Sequence, residues 1–112
     1  LLKAGAAACD VAKQYDEFVR REGFAAYALY GPCHGLGMIE VERPWIEATS
    51  DYLLQPGMTF QIDTFFYTPA ESPLARQNGS VFGLRWENGC HITGDDPELL
   101  SPELTALAVV EV

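Results

Sequence analysis

Three side chains in this sequence have the chemistry to act together: the imidazole of His34 and the carboxylates of Asp63 and Glu87. His34 lies in Gly31-Pro32-Cys33-His34-Gly35-Leu36-Gly37, where three glycines and a proline within seven residues forbid a regular element. Such a loop lets backbone approach a ligand closely and holds an imidazole in a chosen direction. Asp63 sits in the middle of an apolar run, and Glu87 follows the bulky Trp86. A carboxylate in such surroundings is costly to bury unless something pairs with it. One nitrogen and two carboxylates projecting from a rigid sheet suit a hard or borderline divalent cation. Each residue also has a plain structural use. A lone histidine commonly serves as a hydrogen-bonding residue, Asp63 has Arg85 as a candidate ion-pair partner, and Glu87 sits where a strand could end.

The elements that must position these groups follow from periodicity. Residues 3–22 read as a helix, with Ala4, Ala8, Val11, Tyr15, Phe18 and Val19 forming one apolar stripe. Arg20 and Arg21 complement the negative end of its dipole, and Gly23 supplies a left-handed stop. Phe24 to Tyr30 reads as extended, and Met38 to Glu42 as a second extended piece closed by Pro44. Gln55-Pro56-Gly57 is a turn signal. Met58 to Tyr67 alternates as a strand, with Met58, Phe60, Ile62, Thr64 and Phe66 on one face and Thr59, Gln61, Asp63, Phe65 and Tyr67 on the other. Residues 68–79 read as a loop and Ser80 to Trp86 as a returning strand, on which Val81, Gly83, Arg85 and Glu87 share a face. Asn88-Gly89 alone would be read as a hairpin turn. Gly94-Asp95-Asp96-Pro97 is an acidic turn, and Ser101-Pro102-Glu103 has the form of a helix start.

Composition excludes several roles. Seven Lys and Arg against sixteen Asp and Glu give a net charge of −9, which opposes binding to nucleic acid or an anionic membrane surface. No apolar run approaches the ~18 residues of a membrane span. Three cysteines, far apart and without a CxxC, give neither a disulfide framework nor a zinc-knuckle spacing, which points to a reduced, cytoplasmic setting. A chain of 112 residues allows one domain at most, and a start at Leu1 without methionine or helix cap suggests a processed or excised piece.

The order of the motifs carries a resemblance. His34-Gly35-Leu36-Gly37 is followed by Glu42-Arg43-Pro44, then by Leu54-Gln55-Pro56-Gly57-Met58-Thr59-Phe60-Gln61-Ile62-Asp63. Gly83-Leu84-Arg85-Trp86-Glu87-Asn88 comes next, and Thr93-Gly94-Asp95-Asp96-Pro97-Glu98-Leu99-Leu100-Ser101 closes the series. Over residues 1–101 this resembles the C-terminal half of the pita-bread metallopeptidases, which include methionine aminopeptidase, Xaa-Pro aminopeptidase, prolidase and creatinase. The resemblance implies an α+β fold, half of a pita-bread domain, with one long helix on a curved, mainly antiparallel sheet spanning residues 1–112. It also implies that the sheet continues unbroken through Asn88-Gly89, a register we take over the local turn signal.

By the same resemblance, His34, Asp63 and Glu87 correspond to three of five ligands of a two-metal centre that activates water and polarises a scissile carbonyl. Arg85 would orient the carboxylates. The expected cofactor is a divalent metal (Mn, Co, Zn or Fe) in the intact parent, with none as the alternative for this chain by itself. Four departures stand out. Two upstream Asp ligands have no counterpart, the family's second His is Val41 here, Asp63 is shorter than the usual Glu, and Cys33 replaces a Gly. Glu40 and Glu42 are candidates for the lost catalytic base, with solvated loop charges as the alternative. Cys33 beside His34 is a poor nucleophile–base pair, because adjacent residues rarely face each other. His91 falls one step outside the metal shell. The expected function is therefore a fragment of a hydrolase resembling an Xaa-Pro peptidase, inactive on its own. The alternatives are a divergent member, creatinase-like or a lyase, or a catalytically dead peptide- or protein-binding module. The expected partners are a missing N-terminal half or a second copy of the chain, and a peptide or small-molecule substrate.

Overall fold

A computed structural model describes residues 1–105. Its elements, in chain order, are helix α1 (Ala8–Arg21), strands β1 (Cys33–Gly35), β2 (Glu42–Ile46) and β3 (Thr59–Tyr67), helix α2 (Pro73–Asn78), strands β4 (Gly83–His91) and β5 (Glu98–Leu99), and a 3₁₀ turn at Pro102–Leu104. The five strands form one sheet in the order β2-β1-β3-β4-β5, and all four ladders are antiparallel. The α+β expectation holds. Among the described residues no helix is long and apolar enough to cross a membrane.

β3 is the central strand, and its alternation separates two environments. Phe60 is fully buried on one face, where Ala8, Val11 and Ala12 of α1 join Cys33, Ile46, Leu54, Cys90 and Ile92 in the core. The opposite face carries Gln61, Asp63 and Phe65, and it is this face that collects the polar groups. α1 begins at Ala8 rather than at residue 3. Residues 5–8 instead bond to the 52–54 segment, through Gly5 N–H to Leu54 O, Leu54 N–H to Ala6 O and Ala8 N–H to Tyr52 O. The C-terminal end is as expected. Gly23 takes φ +82°, its N–H reaches Arg20 O, and Phe24 N–H reaches Val19 O. Phe18, placed on the apolar stripe by spacing, is half exposed, and Ala12 takes a buried place instead.

Several boundaries differ from expectation for reasons the packing makes plain. The glycine loop is not wholly irregular. Cys33–Gly35 forms β1, inserted between β2 and β3. Gly35 is required there, since a Cβ at this position would lie 2.7 Å from the Arg43 carbonyl oxygen. Pro44 lies inside β2 instead of closing an extended piece at 38–42. β2 is an edge strand, so a residue without an N–H costs the ladder little. Phe24 to Tyr30 is mostly turns, joined to the sheet through an isolated bridge between Ala28 and Phe66.

Residues 68–79 contain α2 instead of a plain loop. Ser72 caps it by accepting the Ala75 N–H, Pro73 takes the first position, and Gly79 ends it at φ +77°. The strand read from Ser80 to Trp86 runs from Gly83 to His91, unbroken through Asn88-Gly89 as the resemblance implied. Asn88 is buried and spends its side chain on the Ser101 backbone, donating to Ser101 O at 2.7 Å and accepting from Ser101 N–H at 3.2 Å. Gly89 O meanwhile accepts the Leu100 N–H. These long-range bonds replace the local turn. Ser101-Pro102-Glu103 forms a 3₁₀ turn without a side-chain cap, and any continuation lies outside the described residues.

The close approach at Gly35 yields a stability prediction. Gly35→Ala must push backbone against backbone between β1 and β2, and should cost about 1–3 kcal/mol. Gly94→Ala, where a Cβ would meet nothing within 4 Å, should change stability by less than ~0.5 kcal/mol. Urea denaturation of the two variants beside the wild type checks this, and equal midpoints for both would contradict it.

Candidate metal centre

β1, β3 and β4 bring His34, Asp63 and Glu87 to one face of the sheet. In the ladders His34 stands opposite Gln61, and Asp63 stands directly opposite Glu87. One ligand atom from each of the three lies within 4.8 Å of the others. His34 and Asp63 are buried, and Glu87 is partly exposed.

His34 is set by its own backbone and by β2. Its Nδ1 lies 3.1 Å from Gly35 O, and because a carbonyl oxygen can only accept, Nδ1 carries the proton. In the neutral imidazole Nε2 then presents a lone pair. Among the described residues it is the one buried side-chain nitrogen or oxygen without a hydrogen-bond partner, and it lies 3.7 Å from Asp63 Oδ2. Trp45, opposite His34 across β1–β2, holds the ring edge-on, with centroids 6.0 Å apart. A buried, orphaned imidazole nitrogen aimed at a carboxylate fits a divalent cation, and the N,O,O donor set is of the right kind.

Asp63 is the most heavily engaged residue. Tyr30 Oη donates to Oδ1 at 3.0 Å, Arg85 Nε donates to Oδ1 at 3.0 Å, and Arg85 Nη2 donates to Oδ2 at 3.0 Å. Burial alone would raise the Asp63 carboxyl, but the hydrogen bonds from Arg85 and Tyr30 outweigh it and hold the group below its ordinary value of 3.8. Arg85 Nη2 also donates to Glu87 Oε1 at 2.6 Å, so one guanidinium joins both carboxylates. The Asp63–Arg85 pairing considered from sequence is thus present alongside the three-residue cluster.

A cavity of about 470 Å³ opens beside this group, with Tyr30, Val41, Trp45 and Phe65 among its walls. Val41, where the resemblance expects a histidine, lines it and offers no proton. Glu40 and Glu42 do not line it. Glu40 is exposed, and Glu42 accepts the Ile39 N–H at 3.4 Å. The Cys33 thiol is pushed up to about 12, by burial first and then by nearby negative charge, which leaves it protonated and unfit as a nucleophile. His91 stands opposite Thr59, with Nδ1 3.5 Å from Glu98 Oε2. Two contributors were missed from sequence, Tyr30 and Trp45. Tyr30 ends an apolar run just before the glycine loop, a faint signal. Trp45 becomes relevant only through its register with His34.

Residues 1–94 match metallopeptidase family M24. The chain is 32% identical over 68 residues to a probable dipeptidase, PepE, of Mycobacterium tuberculosis, an alignment covering 61% of this chain and 18% of that protein. The fold matches that of an Xaa-Pro dipeptidase from Bacillus anthracis with a TM-score of 0.73 at 23% identity, over 89% of this chain and 25% of that one. A dipeptidase from Pyrococcus horikoshii matches with a TM-score of 0.73 at 26% identity, over 88% and 25% of the two chains. The chain therefore spans about a quarter or less of the relatives it matches. Its helix and antiparallel sheet are part of the pita-bread fold, and the chain belongs to metallopeptidase family M24.

Proposed function

We propose that this chain supplies His34, Asp63 and Glu87 to a divalent-metal centre of a hydrolase that acts on small peptides of the dipeptidase or Xaa-Pro kind. The observation that supports this most is the buried, unpartnered Nε2 of His34 facing Asp63. When bound, the metal would activate water and polarise the scissile carbonyl. The chain's own residues do the positioning. Gly35 O keeps the proton on Nδ1 so that Nε2 is free to ligate, and Tyr30 and Arg85 orient Asp63. Trp45, Val41 and Phe65 give the cavity apolar walls, and its volume of about 470 Å³ suits a dipeptide-sized molecule. Glu40 and Glu42 do not enter this reading, because neither lines the cavity.

In this reading residues 1–112 form the C-terminal half of a catalytic domain, and polypeptide beyond them supplies the other two ligands implied by the resemblance. With three ligands of five, the chain alone should bind divalent metal weakly and turn over no Xaa-Pro dipeptide. Calorimetric titration with Mn²⁺, Co²⁺ and Zn²⁺ tests this. Weak binding abolished by His34→Ala supports the centre. Binding indifferent to His34→Ala removes it and favours a peptide-binding module.

A pH dependence follows from the lowered Asp63 carboxyl. A group whose folded value lies below its unfolded one stabilises the fold above the unfolded value, and that contribution is lost as pH falls through the folded one. Asp63→Asn should therefore reduce stability at neutral pH and blunt the loss that the wild type suffers below about 3.8. Urea unfolding of both proteins across the acid range measures this. Parallel profiles would mean that Asp63 carries no such linkage.

A further inference from the structure

Two acids line the cavity, Asp63 and Glu47, and the metal-centre reading uses only the first. Glu47 follows β2 directly, two residues after Trp45, and is exposed. Its backbone N–H donates to Ser50 Oγ at 3.0 Å, which fixes the turn out of the strand. Its carboxylate takes part in no hydrogen bond or ion pair among the described residues. Asp63, by contrast, is occupied by Tyr30 and Arg85.

Much of the remaining wall is aromatic. Trp45, Tyr30 and Phe65 line the same cavity, and the Tyr30 and Phe65 rings form a tilted pair, with centroids 6.4 Å apart and planes at 56°. Aromatic rings attract a cation through their quadrupole, Trp most strongly, and a free carboxylate adds to that attraction. An anion finds no such welcome. Arg85 is the only Lys or Arg among the described residues lining the cavity, and its guanidinium is taken up by Asp63 and Glu87. The net charge of −9 favours cations at longer range as well. Position separates Glu47 from the candidate ligands. In the sheet order β2-β1-β3-β4, His34, Asp63 and Glu87 come from the last three strands, and Glu47 follows the first. With strands ~4.8 Å apart, β2 lies about 10 Å from β3. An extended lysine-length side chain spans most of that distance from a carbonyl held at the metal ligands.

We infer that Glu47, together with Trp45, Tyr30 and Phe65, forms a subsite for a cationic side chain of the substrate, so that the preferred substrates are small peptides carrying a lysine- or arginine-like group. This names a substrate class for the proposed hydrolase and rests on that reading. Glu47 is then the residue that sets specificity by charge, while the three rings supply the apolar and quadrupolar surround.

The test uses the full 112-residue chain and capped single-residue probes that differ in the charge of one side chain: N-acetyl-lysine methylamide and its norleucine and glutamate counterparts. Binding is read from the Trp45 indole N–H signal of protein labelled with nitrogen-15, assigned with Trp45→Phe. At low salt the lysine probe should bind about fivefold or more tightly than the norleucine probe, and the glutamate probe more weakly than either. Glu47→Gln should weaken the lysine probe about threefold and leave the norleucine probe unchanged. Glu47→Lys should reverse the order of the lysine and glutamate probes. Equal binding of the lysine and norleucine probes, no binding of the lysine probe, or a preference that survives Glu47→Gln in full overturns the subsite. Titration of the same proteins with Mn²⁺ keeps the two readings apart. His34-dependent Mn²⁺ binding without a charge preference removes the subsite and leaves the metal centre standing. A Glu47-dependent preference beside Mn²⁺ binding indifferent to His34→Ala keeps the subsite and removes the metal centre.

Discussion

The structure turns on one rung of the β3–β4 ladder, where Asp63 stands opposite Glu87. Two carboxylates at that separation, one of them buried, are tolerated only with positive charge between them. Arg85 supplies it from the same strand as Glu87, two residues away on the same face. His34 and Tyr30 then close around Asp63 from the other side. A fold that needed only a stable sheet would place apolar or uncharged residues at this rung. Two acids at one rung with an orphaned imidazole nitrogen beside them are the observations on which the proposed metal centre rests.

The scaffold explains why the site is rigid. β3 is flanked on both sides by paired strands, and the opposite face of the same strand carries Phe60 into the core. Any displacement of Asp63 along the strand would drag Phe60 out of its packing. His34 is fixed in a comparable way. β1 is three residues long and held between β2 and β3, with Gly35 allowing the Arg43 carbonyl to approach. The polar groups thus inherit their geometry from apolar packing on the other side of the sheet, which is how a histidine on a three-residue strand can be aimed reliably.

Family membership and local chemistry both bear on the proposed metal centre, and they differ in detail. M24 proteins are metallopeptidases, and the His34–Asp63–Glu87 cluster offers the donors such chemistry requires. Val41 nevertheless presents a methyl-lined wall to the cavity, and Cys33 is a buried, protonated thiol next to His34. These features leave the cavity with an apolar wall where the family resemblance expects a proton-transferring imidazole.

Much of this was legible in the residues themselves. The helix stripe with its Gly23 stop, the two-faced alternation of Met58 to Tyr67, and the order of the short motifs are local properties, because periodicity records which side of an element meets the core. The candidate ligands were legible for the same reason, since acids in apolar runs stand out in one dimension. Tertiary structure decided what depends on residues distant in sequence. Asn88-Gly89 has the form of a turn, yet it stays in a strand because Asn88 bonds to Ser101 and Gly89 to Leu100. Pro44 enters a strand because that strand lies at an edge, and Tyr30 and Trp45 join the site through contacts that no spacing encodes. A residue's own propensity amounts to a fraction of a kcal/mol up to about one, whereas a buried polar side chain left without its partner costs ~1–3 kcal/mol. Where the two disagree the long-range partner wins, and sequence alone names the candidates without naming the pairs.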